Sequence, residues 1–387
     1  MQIIVKLTTN CNLKCVYCSE GDKQSSILPK ELLYKAIDDL PVLLNKYAEK
    51  DISLLWHGGE PLTVGKKYLA EAMEYAAEKL KDFNLKFLIQ TNGTLIDDEW
   101  IALFKKFNVS VGVSLDGYKE LHDSNRMTKD EEPTFDLIIE NIKRLKEAGL
   151  NCGTLMVLNT AGKIDLDKLI DCIEKYNFQP KIHPVISCGR AADTDSIPVY
   201  ANYIELMKKL YTRCMESDSD IIIEPLNELM DAILDLAPVR ECSFNGSCGK
   251  DFLCLYTDGN VSFCGRADNT DTNYLYGNIA DKSLTELFES ANAQLIRNRQ
   301  QYLQQHECCN CPYWQFCHGG CSFEAVVNTG KLNSKYSNCE MRKKLIDFLQ
   351  TEGLDLLKKR LLKQKQRYRL LIKEQEKMLG SLYDAGK

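Results

Sequence analysis

An α/β fold built as a partial (β/α)6 barrel of the TIM type is predicted by three observations. Short β-rich runs alternate with helical segments through the first half of the chain, as expected for a parallel sheet wrapped by helices. Six such pairs fit before residue 217. Glycine and polar residues collect directly after the β-runs, at the strand ends where parallel barrels assemble their active sites.

The first β-run, Ile3–Thr8, precedes a helix over Pro29–Tyr47 whose apolar residues recur at spacings of three and four. Ile52–Trp56 pairs with Lys66–Lys81, Lys86–Thr91 with Asp97–Phe107, and Val109–Ser114 with Phe135–Ala148. Cys152–Val157 with Asp165–Tyr176, and Lys181–Ile186 with Val199–Glu216, complete the six units. After the first run stands Cys11-x3-Cys15-x2-Cys18; after the second, Trp56-His-Gly-Gly-Glu-Pro; after the third, Gln90-Thr-Asn-Gly; after the fourth, Ser114-Leu-Asp-Gly.

Composition limits the function classes. The chain has 387 residues, 44% hydrophobic and 27% charged, with a net charge of -6, which is ordinary globular material and no nucleic-acid-coating surface. The start lacks a basic segment followed by a long apolar one, and no later run is apolar enough to span a bilayer. A cytoplasmic protein without nucleic-acid or membrane partners is expected. Seventeen cysteines in such a chain point to metal or redox chemistry rather than disulfides.

The expected organisation is a barrel over 1–217, a linker with a helix over 218–241, a cysteine-rich domain over 242–340 and a basic helical segment over 341–387. The last contains twelve Lys or Arg against five Asp or Glu between Arg342 and Lys377. No repeat of solenoid period is present.

Cys11, Cys15 and Cys18 lie within eight residues on one loop. Three thiolates on a 4Fe-4S cubane leave the fourth iron open to another ligand, whereas four make an electron carrier. A zinc site, the alternative, needs a fourth ligand that the neighbouring sequence does not offer. With Tyr17 before the third cysteine, the loop resembles the motif of the radical S-adenosylmethionine (SAM) superfamily. That resemblance implies SAM chelated by the open iron and cleaved to a 5′-deoxyadenosyl radical. It further implies SAM contacts at Gly58, Gly59 and Glu60 of the Gly-Gly-Glu-Pro motif, at Ser114 and Asp116, at Arg126 as partner of the SAM carboxylate, and at Ile186 against adenine. Each also has a plainer reading, as a turn, a strand end or a surface arginine.

The second region reads Cys242-x5-Cys248-x15-Cys264, then Cys308-x2-Cys311-x5-Cys317-x3-Cys321-x17-Cys339. Eight thiolates suit two further cubanes, with two zinc ribbons as the alternative. The array resembles the SPASM domain of radical SAM enzymes that modify peptides and proteins. The resemblance assigns Cys242, Cys248, Cys264 and Cys321 to an inner auxiliary cluster and Cys308, Cys311, Cys317 and Cys339 to an outer one. Cys152, Cys172, Cys188, Cys214, Cys254 and Cys309 remain, by default small buried hydrophobes. Cys308 rather than Cys309 forms CxxC with Cys311.

The cysteine spacing is similar to that of anaerobic sulfatase-maturating enzymes, which oxidise a protein Cys or Ser to formylglycine. Those enzymes place a catalytic aspartate directly after the third auxiliary cysteine; here Gly265 follows Cys264. Ser19-Glu20 also replaces the aromatic pair after the third loop cysteine. The expected function is therefore maturation of a ribosomally made precursor peptide by an oxidative modification such as a thioether or carbon–carbon cross-link. Sulfatase maturation is the alternative, and a non-catalytic iron–sulfur electron-transfer protein an alternative of another class. Glu20 is the candidate base. The expected partners are a leader-bearing precursor peptide and a reductant such as flavodoxin or ferredoxin. No leader-binding domain is expected ahead of the first strand, which leaves the basic helix Leu356–Lys377 as a candidate holder of an acidic leader.

Overall fold

The computed structural model describes residues 1–21, 23–159, 163–192, 200–217, 220–266 and 274–384, with side chains left aside at 368, 370, 371, 373, 374 and 376–384. Six parallel strands, β1 (Gln2–Thr8), β2 (Asp51–Gly58), β3 (Asn84–Thr91), β4 (Ser110–Ser114), β5 (Cys152–Leu158) and β6 (Pro180–Pro184), lie side by side in sequence order. Helices Lys30–Lys46, Lys66–Lys79, Asp98–Lys106, Phe135–Glu147, Leu166–Tyr176 and Tyr200–Glu216 follow them in turn. The expected six βα units are thus present, with boundaries within a few residues. Ile186 is the exception, since β6 ends at Pro184 and Ile186 falls on the loop beyond it.

The period of two in each strand separates the faces. Ile3, Val5 and Leu7 of β1, Ile52, Leu54 and Trp56 of β2, and Val111 and Val113 of β4 are buried toward the helices. There they meet Leu33, Ile37, Leu69, Met73, Phe104 and Ile138 in one core. Each fully buried aliphatic side chain stabilises the fold by roughly 1.5–3 kcal/mol. Asp97 and Asp165 cap two of the helices by accepting from the amides of Trp100 at 2.9 Å and Lys168 at 3.1 Å.

The other face of the strands carries Lys6, His57, Gln90, Ser114 and His183. Gln90 Nε2 donates to Ser114 Oγ at 2.9 Å, and a side chain at Gly112 would overlap Gln90. A polar interior of this kind positions a reaction rather than a core.

The cysteine-dense region does not stand apart from the barrel. β7 (Phe252–Leu255) pairs parallel with β1, and β8 (Asn260–Ser262) and β9 (Leu275–Asn278) extend the sheet antiparallel, giving the order β6-β5-β4-β3-β2-β1-β7-β8-β9. This region also contains a 15-residue helix, Ala291–Gln305. Helix Cys339–Phe348 then leads through a π turn, Leu349–Gly353, into the long helix Leu354–Asp384. No described helix is long and apolar enough to cross a membrane.

Candidate active site and cluster sites

The loop after β1 carries Cys11, Cys15 and Cys18, and three other strand ends hold it in place. Gly58 and Gly59, at the end of β2, let two backbones touch: a Cβ on Gly58 would stand 2.3 Å from the Thr8 carbonyl oxygen, and one on Gly59 2.2 Å from that of Asn10. Glycine is required there for lack of space. The amides of Gly59 and Glu60 donate to the Thr8 and Asn10 carbonyls at 2.8 and 2.7 Å. From β3, Asn92 Nδ2 lies 2.9 Å from Asn12 Oδ1 and 3.9 Å from Cys11 Sγ. Beyond β6, the Arg190 amide donates to the Cys18 carbonyl at 3.0 Å and its guanidinium to the Cys15 carbonyl at 3.0 Å. Gly189 has a left-handed φ of 56°, and a side chain there would strike the Cys18 carbonyl.

Glu60 is fully buried. Its carboxylate accepts from the Leu62 amide at 3.1 Å, Thr91 Oγ1 at 2.7 Å and the Asn92 amide at 2.7 Å. Burial pushes the carboxyl up to about 7 against those three bonds.

Asp116 is fully buried and organises the neighbouring wall. Its Oδ2 accepts from Arg126 Nε at 2.9 Å and from the Tyr17 hydroxyl, and its Oδ1 from the Val157 amide at 3.0 Å. Arg126 lies 5.3 Å from the centre of the Tyr17 ring. Its terminal nitrogens make no hydrogen bond to described residues, and the guanidinium acts on the Cys15 thiol. Burial pushes that thiol up to about 12, with Arg126 pulling the other way. A metal's positive charge offsets such burial, which is how buried thiols become ligands.

Glu20 projects into the barrel, where it pairs with Lys6 of β1 and, at 3.3 Å, with Lys23. Burial would raise its carboxyl, but the two lysines outweigh it and hold the group at about 2. Lys6 Nζ also lies 3.3 Å from His57 Nδ1, and burial together with Lys6 pushes His57 down to about 3, leaving a neutral imidazole. Ser114 is buried at the end of β4, and Ile186 is half-buried against the core.

Eight of the fourteen remaining cysteines fall into two groups. Cys242 lies in the field of Cys248 and Cys321, and Cys321 in that of Cys248 and Cys264. Cys308 lies in the field of Cys311, Cys317 and Cys339, and these four line one cavity. Cys308 is buried there, whereas Cys309 is exposed. Among the described residues, no three His, Cys, Asp or Glu side chains converge on a single-ion site. A cubane has metal at four corners and takes its thiolates at a wider spacing, so the grouping suits clusters. Cys172, Cys214 and Cys254 are buried in the fold, as small hydrophobes.

Lys6, Gly189 and Arg190 were not singled out by the sequence, and His57 and Asn92 stood out only as members of the stretches after the second and third β-runs. For Gly189 and Arg190 a signal existed, because Cys188-Gly-Arg repeats the habit of glycine and polar residues after a strand. Lys6, within the first β-run, carried none.

Residues 5–173 match the radical SAM superfamily, and residues 242–312 match the SPASM iron–sulfur cluster-binding domain. The protein is a radical SAM enzyme with a SPASM region, and its cofactors are SAM, the 4Fe-4S cluster that binds it, and auxiliary iron–sulfur clusters. Among particular proteins, it is 27% identical over 331 residues to a cysteine-type anaerobic sulfatase-maturating enzyme of Clostridium novyi, spanning 82% of this chain and 87% of that one. In fold it is similar to native anSMEcpe with bound AdoMet and Cp18Cys peptide, at a TM-score of 0.77 and 23% identity over 92% of this chain and 99% of that one. It is also similar to Streptococcus suis SuiB bound to precursor peptide SuiA, at a TM-score of 0.61 and 17% identity over 87% of this chain and 74% of that one.

Proposed function

We propose that this radical SAM enzyme oxidises a residue within a ribosomally made precursor peptide and installs a cross-link, either a thioether or a carbon–carbon bond. The observation that carries this reading is Gly265. Formylglycine formation in the sulfatase-maturating family relies on an aspartate directly after the third auxiliary cysteine. Here a Cβ at that position would lie 3.2 Å from Ile4 Cγ2 and 3.5 Å from Lys6 Cε, on the interior face of β1. This chain has no carboxylate there.

Cys11, Cys15 and Cys18 hold the SAM-binding cluster in this reading, with Cys242, Cys248, Cys264 and Cys321 on the inner auxiliary cluster and Cys308, Cys311, Cys317 and Cys339 on the outer. With SAM bound, the cluster supplies a 5′-deoxyadenosyl radical on one-electron reduction. Arg126 offers its unbonded terminal nitrogens to the SAM carboxylate, a planar fork suited to that group, while Asp116 fixes its direction. Gly58 and Gly59 bring the backbone alongside the cluster loop. Glu60 ties that backbone to the end of β3 through its bonds from Thr91 and Asn92, and closes its own turn through the bond from Leu62. Ser114 and Ile186 stay assigned to the SAM wall. Glu20, held ionised by Lys6 and Lys23, is a weak proton acceptor, and its principal work is to balance the charge of Lys6.

Sulfatase maturation is the second reading, favoured by similarity that runs through most of the chain. One experiment separates the two. Reconstituted enzyme, reduced and supplied with SAM, is given any short peptide encoded beside its gene and, separately, a cysteine- or serine-containing sulfatase peptide. Release of 5′-deoxyadenosine with loss of two hydrogens from a precursor is the expected result. Conversion of the sulfatase peptide to formylglycine, with no precursor changed, overturns it.

A further inference from the structure

Two arginines, Arg299 at 3% exposure and Arg342 at 2%, are buried among the auxiliary cysteines. A buried guanidinium without a counter-charge is strongly unfavourable. For Arg299 the backbone answers: Nε donates to the Leu332 carbonyl at 2.7 Å, Nη1 to Gly320 at 3.0 Å, and Nη2 to Gly319 and Ser334, both at 2.9 Å. Arg299 staples the turn that carries Cys317 and Cys321.

Arg342 is answered differently: Tyr200, Tyr336, the Cys317 thiol and, further off, the buried Glu324 act on its guanidinium. It forms no ion pair with a carboxylate among the described residues, and its Nε has no hydrogen-bond partner. Nη1 donates to the Ser243 carbonyl and lies 4.0 Å from Cys317 Sγ. The guanidinium stacks between Phe244, with the ring centre at 4.0 Å, and Tyr336, at 4.2 Å. It lines the same cavity as Cys308, Cys311, Cys317 and Cys339, while Ser243 directly follows Cys242 of the other group. The cation is clamped between the two cysteine sets, with the Cys317 thiol its nearest sulfur at 4.0 Å.

We infer that Arg342 is the counter-charge of the outer auxiliary cluster and raises its reduction potential. The inference rests on the cysteine assignment above and not on the identity of the substrate. A cluster gains one negative charge on reduction, so a fixed cation beside one of its cysteines would stabilise the reduced form more than the oxidised form.

The test is an EPR-monitored redox titration of the reconstituted holoenzyme without peptide, alongside iron analysis. In Arg342→Gln, at the wild-type midpoint of the outer cluster, the ratio of reduced to oxidised cluster should fall roughly ten-fold, equivalent to about 59 mV for one electron. Arg342→Lys keeps the charge and should stay within roughly three-fold of wild type. A Gln variant with full iron and an unmoved midpoint overturns the inference. Where the Gln variant loses the outer iron, the Lys variant decides: a wild-type midpoint with full iron supports the inference. A roughly ten-fold fall in the Lys variant with full iron, or loss of iron from both variants, overturns it by making the guanidinium a structural piece.

Discussion

Lys6, only 4% exposed on the interior face of β1, is held as a cation by Glu20. Replacing Glu20 with Gln leaves that charge without its nearest partner and should destabilise the protein by about 3–5 kcal/mol, read as a lower denaturant midpoint at unchanged slope. The pair also fixes a pH response. The carboxyl is lowered from 4.5 to about 2, so its contribution is fully present above pH 4.5 and is lost as pH falls through about 2. In Glu20→Gln the unfolding free energy should lose that part of its acid dependence. At the cysteines, burial separates two adjacent residues. Cys308→Ala should remove about four irons per chain, the content of one cubane, whereas exposed Cys309→Ala should remove none by iron and sulfide analysis.

The strand-end loops form the active wall by pressing backbone on backbone. Gly59→Ala would place a methyl group 2.2 Å from the Asn10 carbonyl oxygen, and only movement of the cysteine loop relieves it. Displacing reacting groups by about an ångström costs roughly a hundred-fold in rate, so 5′-deoxyadenosine release should fall by about that factor while most iron is retained. The C-terminal helix divides differently. Leu354 and Leu357 pack on the core, and Arg360 reaches the Cys214 and Ser217 carbonyls and, at 2.8 Å, Asp220. Truncation after Gly353 should therefore lower the thermal midpoint, and truncation after Gln366 should leave it unchanged. If the latter also leaves precursor affinity unchanged, the far end of the helix holds no leader.

At the scale of the whole molecule, β7 makes one folding unit of what the cysteine pattern divides. It pairs with Gln2–Val5 of β1, so the barrel lacks a covered edge without it. A chain ending at residue 241 exposes that edge and the apolar side chains beside it, and unpaired edges promote aggregation. Such a fragment should be recovered as aggregate by size-exclusion chromatography, while the intact protein should unfold with barrel and cysteine region in a single transition.

The sequence by itself determined what is written in short range. The six βα units follow from period-two and period-3.6 patterns, and the cluster loop from three cysteines within eight residues, because both depend on neighbours along the chain. The two cysteine sets were legible only through resemblance to a known array, since their members are far apart in the sequence. Only the tertiary structure decided which charged residues face one another. Lys6 meets Glu20 and His57 because adjacent parallel strands bring β1 and β2 into register and the loop folds back over them. Arg342 meets Cys317 and Ser243 because a helix after the last cysteine closes over both groups. Neither meeting leaves a periodic trace, since a buried charge is set by its partners in space.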